Sequence, residues 1–377
     1  MFIVHLKYEA VFFDYAKKNH FNLRNELPVI APKEDSSLDF TNSTIVNFKQ
    51  DILNNNVHNC ATRQKCLRLH NMPKILNPDF QIEWPSYFNM LGMITIPDDK
   101  RFVNRILLGL LIDVYKIPKE NILLMVNSKH KDLCVGLPDN MLVCDTHEQS
   151  YYDWTYHMKN IYGEGLTFSV KTKNKSIVDV GNLIQIKSAD KILAYEIAYG
   201  TECLYWAMNN KNTVFDSYSI FDEYSYNDKI LVKIIDTLFA ICAITSENIA
   251  VNNKTPHGQI LKKLYKNFVF LSEQSNFSDC DLLQLIQKLL KLEFTNSGIS
   301  ETVYQHFLSE RNAINTNRYN FLQEKQKLLQ KYYDGILNKE TVEKRLYNLA
   351  EGKYPISPHE RQTYLAIPDV LNIRGQR

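Results

Sequence analysis

The sequence predicts an α+β fold, with an antiparallel sheet flanked by helices over residues 1–227 and an all-helical domain over residues 228–377. Three observations support this prediction. Short segments rich in β-branched and aromatic residues recur between residues 38 and 198, as the strands of a sheet do. From residue 229 onward the apolar residues instead recur at helical spacing, and no comparable strand pattern returns. The 377 residues are enough for two or three packed domains.

The first element predicted is a helix over residues 6–19. Val11, Phe12 and Tyr15 share one of its faces, and Lys17 and Lys18 lie near its end, where cations are favourable. Two prolines between residues 27 and 33 break the helical pattern. Strands are then predicted over residues 38–42, 64–69, 87–96, 121–126, 166–171, 183–187 and 195–198, with helices over residues 102–115 and from about Gly200.

The helical region begins with the most apolar stretch of the chain, residues 230–244. It carries Lys233 and Asp236 and is shorter than the roughly 20 residues that cross a bilayer, so we expect a buried helix. Ser278 and Asp279 stand where an N-cap belongs. Further helices are predicted over residues 258–271 and 281–294, followed by a Lys/Glu-rich pair over residues 311–350.

Composition and charge exclude some classes of protein. Charged residues make up 23%, the formal net charge is +2 and the pI is near 8.0, which fits neither a polyelectrolyte nor a disordered tail. The apolar run at the start is interrupted by Lys7, Glu9 and Asp14, unlike a secretory signal. We therefore expect a cytoplasmic protein without a membrane partner.

The seven cysteines form no C-x-x-C pair and no cluster with histidines at zinc spacing. A structural zinc site is therefore not predicted. An odd, scattered set fits a reducing compartment, in which most such residues are small buried hydrophobes.

Four segments in the first region carry a resemblance: FTNSTIVNFK from Phe40, TRQKCLR from Thr62, YFNMLGMITIPD from Tyr87 and EIAYGTECLYWAM from Glu196. In order and spacing they resemble the catalytic core of alanyl-tRNA synthetase, a class II aminoacyl-tRNA synthetase. The second and third segments correspond to class II motif 2, and the last corresponds to motif 3. The resemblance implies the class II antiparallel sheet, with ATP and Mg²⁺ as cofactors and a small amino acid as substrate.

The helical region extends the resemblance through VNNKTPHGQILKKL from Val251 and NKETVEKRLYNLAEGKYP from Asn338. In the family this region grips the tRNA acceptor stem. We find no counterpart of the editing domain or of the C-terminal oligomerising region, so we expect a divergent paralogue that lacks them.

Arg68 matches the motif 2 arginine, which in the family bridges the α-phosphate of ATP and the carboxylate of the amino acid. A guanidinium can do this with two parallel hydrogen bonds, which lysine cannot. Apart from the resemblance, Arg68 would be read as a surface arginine on a half-buried strand. The resemblance also places Phe88, Met90, His70, Lys74 and Cys203 at the nucleotide.

Glu196 falls where the family has an aspartate that holds the α-ammonium of the substrate. A carboxylate and an ammonium make a charge-assisted pair, and glutamate reaches one methylene farther. Ile45, Ile184 and Ala198 replace a methionine, a valine and a glycine around the amino acid. Asn182 matches a substrate-binding asparagine, or is a turn residue after a glycine.

The chain departs from the family where the nucleotide is bound. Motif 3 ends in an arginine that grips the γ-phosphate, and Cys203 stands at that position. A neutral thiol cannot replace a phosphate-binding cation. The loop after Arg68 reads LHNMPKILN, so only His70 or Lys74 is left to supply its contacts, and Asn89 replaces a glutamate.

The positions that resemble the tRNA-reading residues also differ. Asn253 matches an asparagine only with one inserted residue, and Asn348 replaces an aspartate. Lys262 and Lys263 lie in a basic stripe, which is either an RNA contact or an ordinary solvated face. Residues 251–350 hold 14 Lys and Arg against 10 Asp and Glu, a slight basic excess.

Two hypotheses follow from these patterns. The first is an ATP-dependent ligase that forms an aminoacyl-adenylate from alanine or another small amino acid and transfers it to tRNA, a small molecule or a peptide. The second is a non-catalytic synthetase-like paralogue that binds RNA, a nucleotide or a protein partner.

Overall fold

The computed structural model describes residues 4–367, except 34, 36, 98–99, 145–146, 156–157, 190, 226, 295–296, 355 and 357–359. The helices are α1 (Val4–Lys18), α2 (Ile45–Leu53), α3 (Lys100–Leu108), α4 (Thr201–Asn209), α5 (Lys229–Ser246), α6 (Pro256–Glu273), α7 (Asp279–Glu293), α8 (Ser300–Tyr333), α9 (Lys339–Asn348) and α10 (Arg361–Leu365). The strands are β1 (Asn22–Arg24), β2 (Cys60–Leu67), β3 (Tyr87–Thr95), β4 (Ile122–Val126), β5 (Leu142–Cys144), β6 (Asp153–Thr155), β7 (Tyr162–Lys171), β8 (Ile177–Ser188) and β9 (Lys191–Gly200).

All nine strands of the described residues belong to one sheet, in the order β1-β2-β3-β9-β8-β7-β4-β5, with β6 also pairing with β7. The pairs from β2 to β4 are antiparallel, and β6 pairs with β7 antiparallel as well. Only the outer pairs, β1 with β2 and β4 with β5, are parallel. The predicted fold class, an antiparallel sheet flanked by helices and followed by a helical region, is confirmed.

The two faces of the sheet have different partners, because side chains alternate between faces along each strand. One face buries Leu91, Met93 and Ile197 in a core shared with α1, α3 and α4. On the other face α2 covers part of the sheet and packs against Ile94 and Ile184. The rest of that second face is open and holds the candidate site.

The helical region packs against the start of β3. Tyr87 is fully buried, and its ring stacks on Phe239 of α5 with centroids 5.6 Å apart. Residues of β2 and of α5 to α8 belong to this same core. Among the described residues, none of these helices is both long enough and apolar enough to span a membrane.

The strand predicted over residues 38–42 is wrong. Only Phe40 forms an isolated bridge, with Ile30. Thr41 makes one further backbone link on each side, to Val29 and to Leu67, and the chain then turns into α2. The helix could have been predicted, since the buried Ile45, Phe48 and Ile52 recur at helical spacing.

Other differences concern boundaries. The long helix α8 starts at Ser300, well before the predicted Arg311. The helix predicted over residues 102–115 is α3 followed by a wider π-helical segment, Gly109–Val114. The predicted N-cap at Ser278 is present, and its hydroxyl accepts a hydrogen bond from the backbone N–H of Asp281.

Candidate functional site

Two adjoining cavities lie on the open face of the sheet. We call them the Phe88 cavity, with a volume of about 250 Å³, and the Glu196 cavity, with a volume of about 230 Å³. They share four lining residues, which are Arg68, Met90, Asn182 and Ala198. The two cavities therefore adjoin each other at these four residues.

The strand register explains why residues far apart in sequence share this floor. In the ladders, Met90 is paired with Gly200, and Ala198 is paired with both Gly92 and Asn182. Directly paired residues of antiparallel strands point to the same face. Glu196, two residues before Ala198, points to that face as well.

Arg68 follows directly after β2, at the junction of the two cavities. Its Nε donates to the carbonyl oxygen of Asn42 at 2.9 Å, and its guanidinium carbon lies 4.9 Å from the centre of the Phe88 ring. No carboxylate among the described residues is within salt-bridge distance of it. The charge of Arg68 is therefore available to an anionic ligand.

Glu196 lies at the floor of the cavity named after it and is 3% exposed. The hydroxyl of Thr44 donates to its Oε1 at 2.8 Å, and no cation among the described residues pairs with it. Burial raises the pKa of Glu196 to about 7, although the hydrogen bond from Thr44 acts in the opposite direction. A buried carboxylate without a cation is well suited to bind an ammonium group.

Lys49 also lines the Glu196 cavity, but its charge is already balanced. Its Nζ lies 2.5 Å from Oδ2 of Asp35 and donates to the Ser37 hydroxyl at 3.2 Å. The pKa of Asp35 is lowered by its hydrogen bonds to Lys49 and Ser37, which outweigh the effect of burial. Lys49 therefore closes the cavity without neutralising Glu196.

Gly92 brings α2 close enough to reach Glu196. A Cβ atom at position 92 would lie 2.5 Å from Oγ1 of Thr44, which is closer than van der Waals contact allows. Thr44 stands just before α2 and packs onto the bare backbone of β3. Any side chain at position 92 would therefore displace Thr44 from its hydrogen bond with Glu196.

Asn182 belongs to β8 and faces the space between the cavities. The hydroxyl of Thr167 donates to its Oδ1 at 2.9 Å, which orients the amide. Within the described part of the chain, its Nδ2 has no hydrogen-bond acceptor. It is a strand residue, so the alternative interpretation as a turn asparagine is wrong.

The Phe88 cavity is aromatic and carries two carboxylates. Trp84 and Tyr151 line it together with Phe88. Asp179 accepts hydrogen bonds from Ser169 at 2.6 Å and from the hydroxyl of Tyr151 at 2.9 Å. Trp84, Tyr151 and Asp179 were not predicted from the sequence, because they lie outside the four segments that carry the resemblance.

Glu202 is the second carboxylate and is 1% exposed. Its Oε1 accepts from the backbone N–H of Asn89 at 2.9 Å and from the side-chain amide of Asn89 at 3.2 Å. Cys203, the next residue, also lines the cavity, and burial raises the pKa of its thiol to about 12. Cys203 is therefore a neutral group in the wall of this cavity.

Of the two other residues predicted to contact the nucleotide, His70 and Lys74, one lines a cavity and the other does not. His70 lines the Phe88 cavity, with its Nδ1 2.9 Å from the carbonyl oxygen of Arg68. Lys74 is exposed in the loop that follows and lines neither cavity.

The candidates for acceptor binding lie elsewhere. Asn253 is exposed before α6, where its carbonyl oxygen accepts from Gln259. Lys262 and Lys263 lie on α6, and Asn348 is exposed at the end of α9. None of the four lines either cavity.

Candidate metal ligands are sparse around the site. No group of three or more His, Cys, Asp and Glu gathers among the described residues. The carboxylates that line the Phe88 cavity are Asp179 and Glu202, and both already accept hydrogen bonds. The described residues therefore do not form a recognisable set of ligands for Mg²⁺.

Comparison with known proteins finds similarity to solved structures alone. No family model matches the sequence, and no curated protein matches it either. Among solved structures, apo S. aureus histidyl-tRNA synthetase matches 54% of this chain and 68% of its own, with 10% sequence identity and a TM-score of 0.32. A similarity of this size is too low to support an inference about activity.

Proposed function

We propose that this protein activates a small amino acid with ATP, forming an aminoacyl-adenylate that it transfers to an acceptor. The observation that carries the proposal is that Arg68, which has no carboxylate partner among the described residues, lines two adjoining cavities. One holds a buried carboxylate suited to an ammonium, and the other holds aromatic rings suited to a base. Arg68 lies at their junction, where a carboxylate would meet a phosphate.

The reaction follows from this arrangement. An oxygen of the substrate carboxylate attacks the α-phosphorus of ATP, the bond from that phosphorus to the bridging oxygen breaks, and pyrophosphate leaves. Catalysis of such a transfer depends on positioning and on stabilisation of charge. Arg68 would hold the attacking carboxylate and the α-phosphate together and would stabilise the negative charge on both.

The Glu196 cavity would bind the amino acid. The ammonium pairs with Glu196 and keeps that carboxylate ionised at neutral pH, because an adjacent positive charge lowers its pKa. Ile45, Ile184 and Ala198 form apolar walls that favour a small, uncharged side chain. Asn182 would add a hydrogen bond from its amide.

The Phe88 cavity would bind the nucleotide. A purine base can stack on an aromatic ring with an energy of about 1–3 kcal/mol, and Phe88 and Trp84 offer such rings. The acceptor is tRNA, a small molecule or a peptide. Lys262 and Lys263 on α6 are the proposed contacts for an RNA acceptor, with Asn253 and Asn348 as further candidates.

The test is amino-acid-dependent exchange of pyrophosphate into ATP, measured with each of the 20 amino acids. We expect exchange with alanine or another small amino acid, and a loss of at least about 100-fold in Arg68→Ala. The matched control is Arg105→Ala, because Arg105 is also exposed and stacked on a phenylalanine, at 5.4 Å from the Phe102 ring. Absence of exchange with every amino acid would refute the proposal.

A second candidate function is ligand binding without catalysis, in which the synthetase-like site binds RNA, a nucleotide or a protein partner. The observation that favours it is the charge in the Phe88 cavity, where Asp179 and Glu202 face Arg68 and a neutral Cys203. Two carboxylates disfavour a triphosphate. Thermal unfolding with ATP and amino acids separates the candidates, because a ligand that binds only the folded state raises the melting temperature.

A further inference from the structure

The connection between β2 and β3, residues 68–86, is held from the helical region by one buried carboxylate. Asp236 of α5 is 2% exposed. Its Oδ1 accepts from the backbone N–H of Ser86 at 2.6 Å, and its Oδ2 accepts from the Ser86 hydroxyl at 2.7 Å and from Nδ2 of Asn71 at 3.2 Å. Burial raises the pKa of Asp236, and the hydrogen bonds from Ser86 and Asn71 oppose that shift. All three bonds go to one loop, near both of its ends.

The hydrogen bonds continue from this carboxylate to Arg68. The backbone N–H of Arg68 donates to the carbonyl oxygen of Ser86 at 2.8 Å. Asp236 therefore holds Ser86, and Ser86 in turn holds the backbone of Arg68. Asp236 lines neither cavity, so it can influence a ligand only through loop residues that do, and Arg68 is the one that lines both cavities.

A second residue of α5 holds the middle of the same loop. Lys233 lies three positions before Asp236, on the same face of the helix, and is 1% exposed. Its Nζ donates to the carbonyl oxygen of Asn77 at 2.6 Å and lies 6.0 Å from the centre of the Phe80 ring. Neither Asn77 nor Phe80 is bonded to Arg68, which makes Lys233 a natural control.

We infer that Asp236 is a positioning residue for Arg68, through which the helical region sets the geometry of the reaction site. The inference rests on the proposed function for its catalytic consequence, because Arg68 is the group that would join carboxylate and phosphate. A displacement of about 1 Å at such a group lowers a rate by about 100-fold. The ammonium site is on β9, which Asp236 does not touch.

The experiment compares Asp236→Asn with the wild-type protein in pyrophosphate exchange and in limited trypsin digestion. An asparagine keeps the shape but presents its Nδ2 to a hydrogen-bond donor of the loop. We expect kcat to fall at least about tenfold while KM for the amino acid changes less than about threefold. Cleavage after Lys74, the only lysine or arginine in residues 69–86, should accelerate at least about tenfold.

Two control variants separate positioning from loop mobility and from global stability. Lys233→Met should also accelerate cleavage after Lys74, but should change kcat less than about threefold, because its bond to Asn77 does not lead to Arg68. Val342→Ala, in a separate core of α8 and α9, should lower the melting temperature and leave both readouts unchanged. Ser86→Ala replaces Asp236→Asn if that variant does not fold. It removes the hydroxyl bond to Asp236 and the bond that Asn71 donates to the same hydroxyl at 3.2 Å, and it keeps the backbone bond to Asp236.

The outcomes of the two proposals are distinguishable. If the wild-type protein catalyses no exchange, the proposed function fails, while the rate of cleavage and the quenching of Trp84 fluorescence still test the placement of the loop. Trp84 reports on the loop in a background in which Trp154 and Trp206 are replaced by phenylalanine, because its carbonyl oxygen accepts from Nδ2 of Asn71 at 2.8 Å and the residue is 41% exposed. Wild-type kcat and wild-type cleavage in Asp236→Asn would overturn the inference, as would equal losses of kcat in Lys233→Met and Asp236→Asn.

Discussion

The two cavities of the site differ in how well their charged groups match the proposed ligands. The Glu196 cavity holds a carboxylate that is buried, hydrogen-bonded by Thr44 and without a cationic partner among the described residues. The Phe88 cavity holds two carboxylates, a neutral thiol and a single arginine that it shares with its neighbour. The first is complementary to an ammonium group, whereas the second offers a triphosphate one arginine.

This difference bears on the proposed function. Ile45, Ile184 and Ala198 give the Glu196 cavity apolar walls. Cys203, a neutral thiol, adds no positive charge to the Phe88 cavity. We therefore expect changes in the Glu196 cavity to have large effects on the amino acid, and changes in the Phe88 cavity to alter the nucleotide alone.

The largest effect is expected from Glu196→Gln. Loss of the carboxylate removes the partner of the ammonium, so KM for the amino acid should rise about 100-fold while KM for ATP stays within about twofold. The measurement is pyrophosphate exchange at varied concentrations of each substrate. Glu310→Gln is the matched control, since Glu310 is 8% exposed and lies on α8, away from the cavities. Equal effects on the two substrates would show that the cavities do not have separate ligands.

The uncompensated charge of Glu196 should also be visible in the pH dependence of stability. The pKa of Glu196 is raised from 4.5 to about 7 in the folded protein, so the folded state binds a proton that the unfolded state has released. The free energy of unfolding should therefore fall as pH rises from about 4.5 to 7, by about 3 kcal/mol, and then level off. The measurement is urea unfolding of the wild-type protein and of Glu196→Gln, which should lack this component. An identical pH profile in the two proteins would contradict the assignment.

Gly92→Ala tests the contact that orients Glu196. The new methyl group would displace Thr44 and weaken its bond to Glu196, raising KM for the amino acid about tenfold and costing about 1–3 kcal/mol of stability. Exchange kinetics and urea unfolding measure the two effects. Gly352→Ala is the control, because a Cβ atom there would meet no described atom within 4 Å. Unchanged kinetics in Gly92→Ala would show that Thr44 has no part in binding.

The smallest effect is expected in the Phe88 cavity. Cys203→Arg adds a cation to this cavity and, if ATP binds here as proposed, should tighten ATP binding about fivefold, with no change for the amino acid. Isothermal titration with ATP measures the affinity, and Cys203→Ser, which keeps the site neutral, should stay within about twofold of wild type. Cys144→Arg is the matched control, because Cys144 is exposed on β5. Tighter amino-acid binding in Cys203→Arg would be contrary to the separation of the two cavities.

Much of the fold could be predicted from the sequence, because local signals agree with the final structure in most elements. The apolar spacing in α5 and the capping box at Ser278 specify helices without help from distant residues. The strand predicted over residues 38–42 was wrong, since its β-rich residues form only one isolated bridge in the described structure. The helix that follows it, α2, was overlooked although its buried residues have helical spacing.

The site could be predicted only in part. Arg68 and Glu196 were found through the segments that carry the resemblance, and the structure brings both to the Glu196 cavity. Their partners were not found, because each depends on a contact across the fold. Thr44 is 152 positions from Glu196, and Asp236 is 150 positions from Ser86. No local pattern in the sequence encodes such pairs.

The most direct test of the account is a crystal structure with 5′-O-(N-alanylsulfamoyl)adenosine, a non-hydrolysable mimic of alanyl-adenylate. The account predicts the ammonium within about 3 Å of the Glu196 carboxylate, the sulfamate at the guanidinium of Arg68 and the adenine against the Phe88 ring. A mimic that binds away from Arg68, or that does not bind, would contradict the claim that the two cavities form one site.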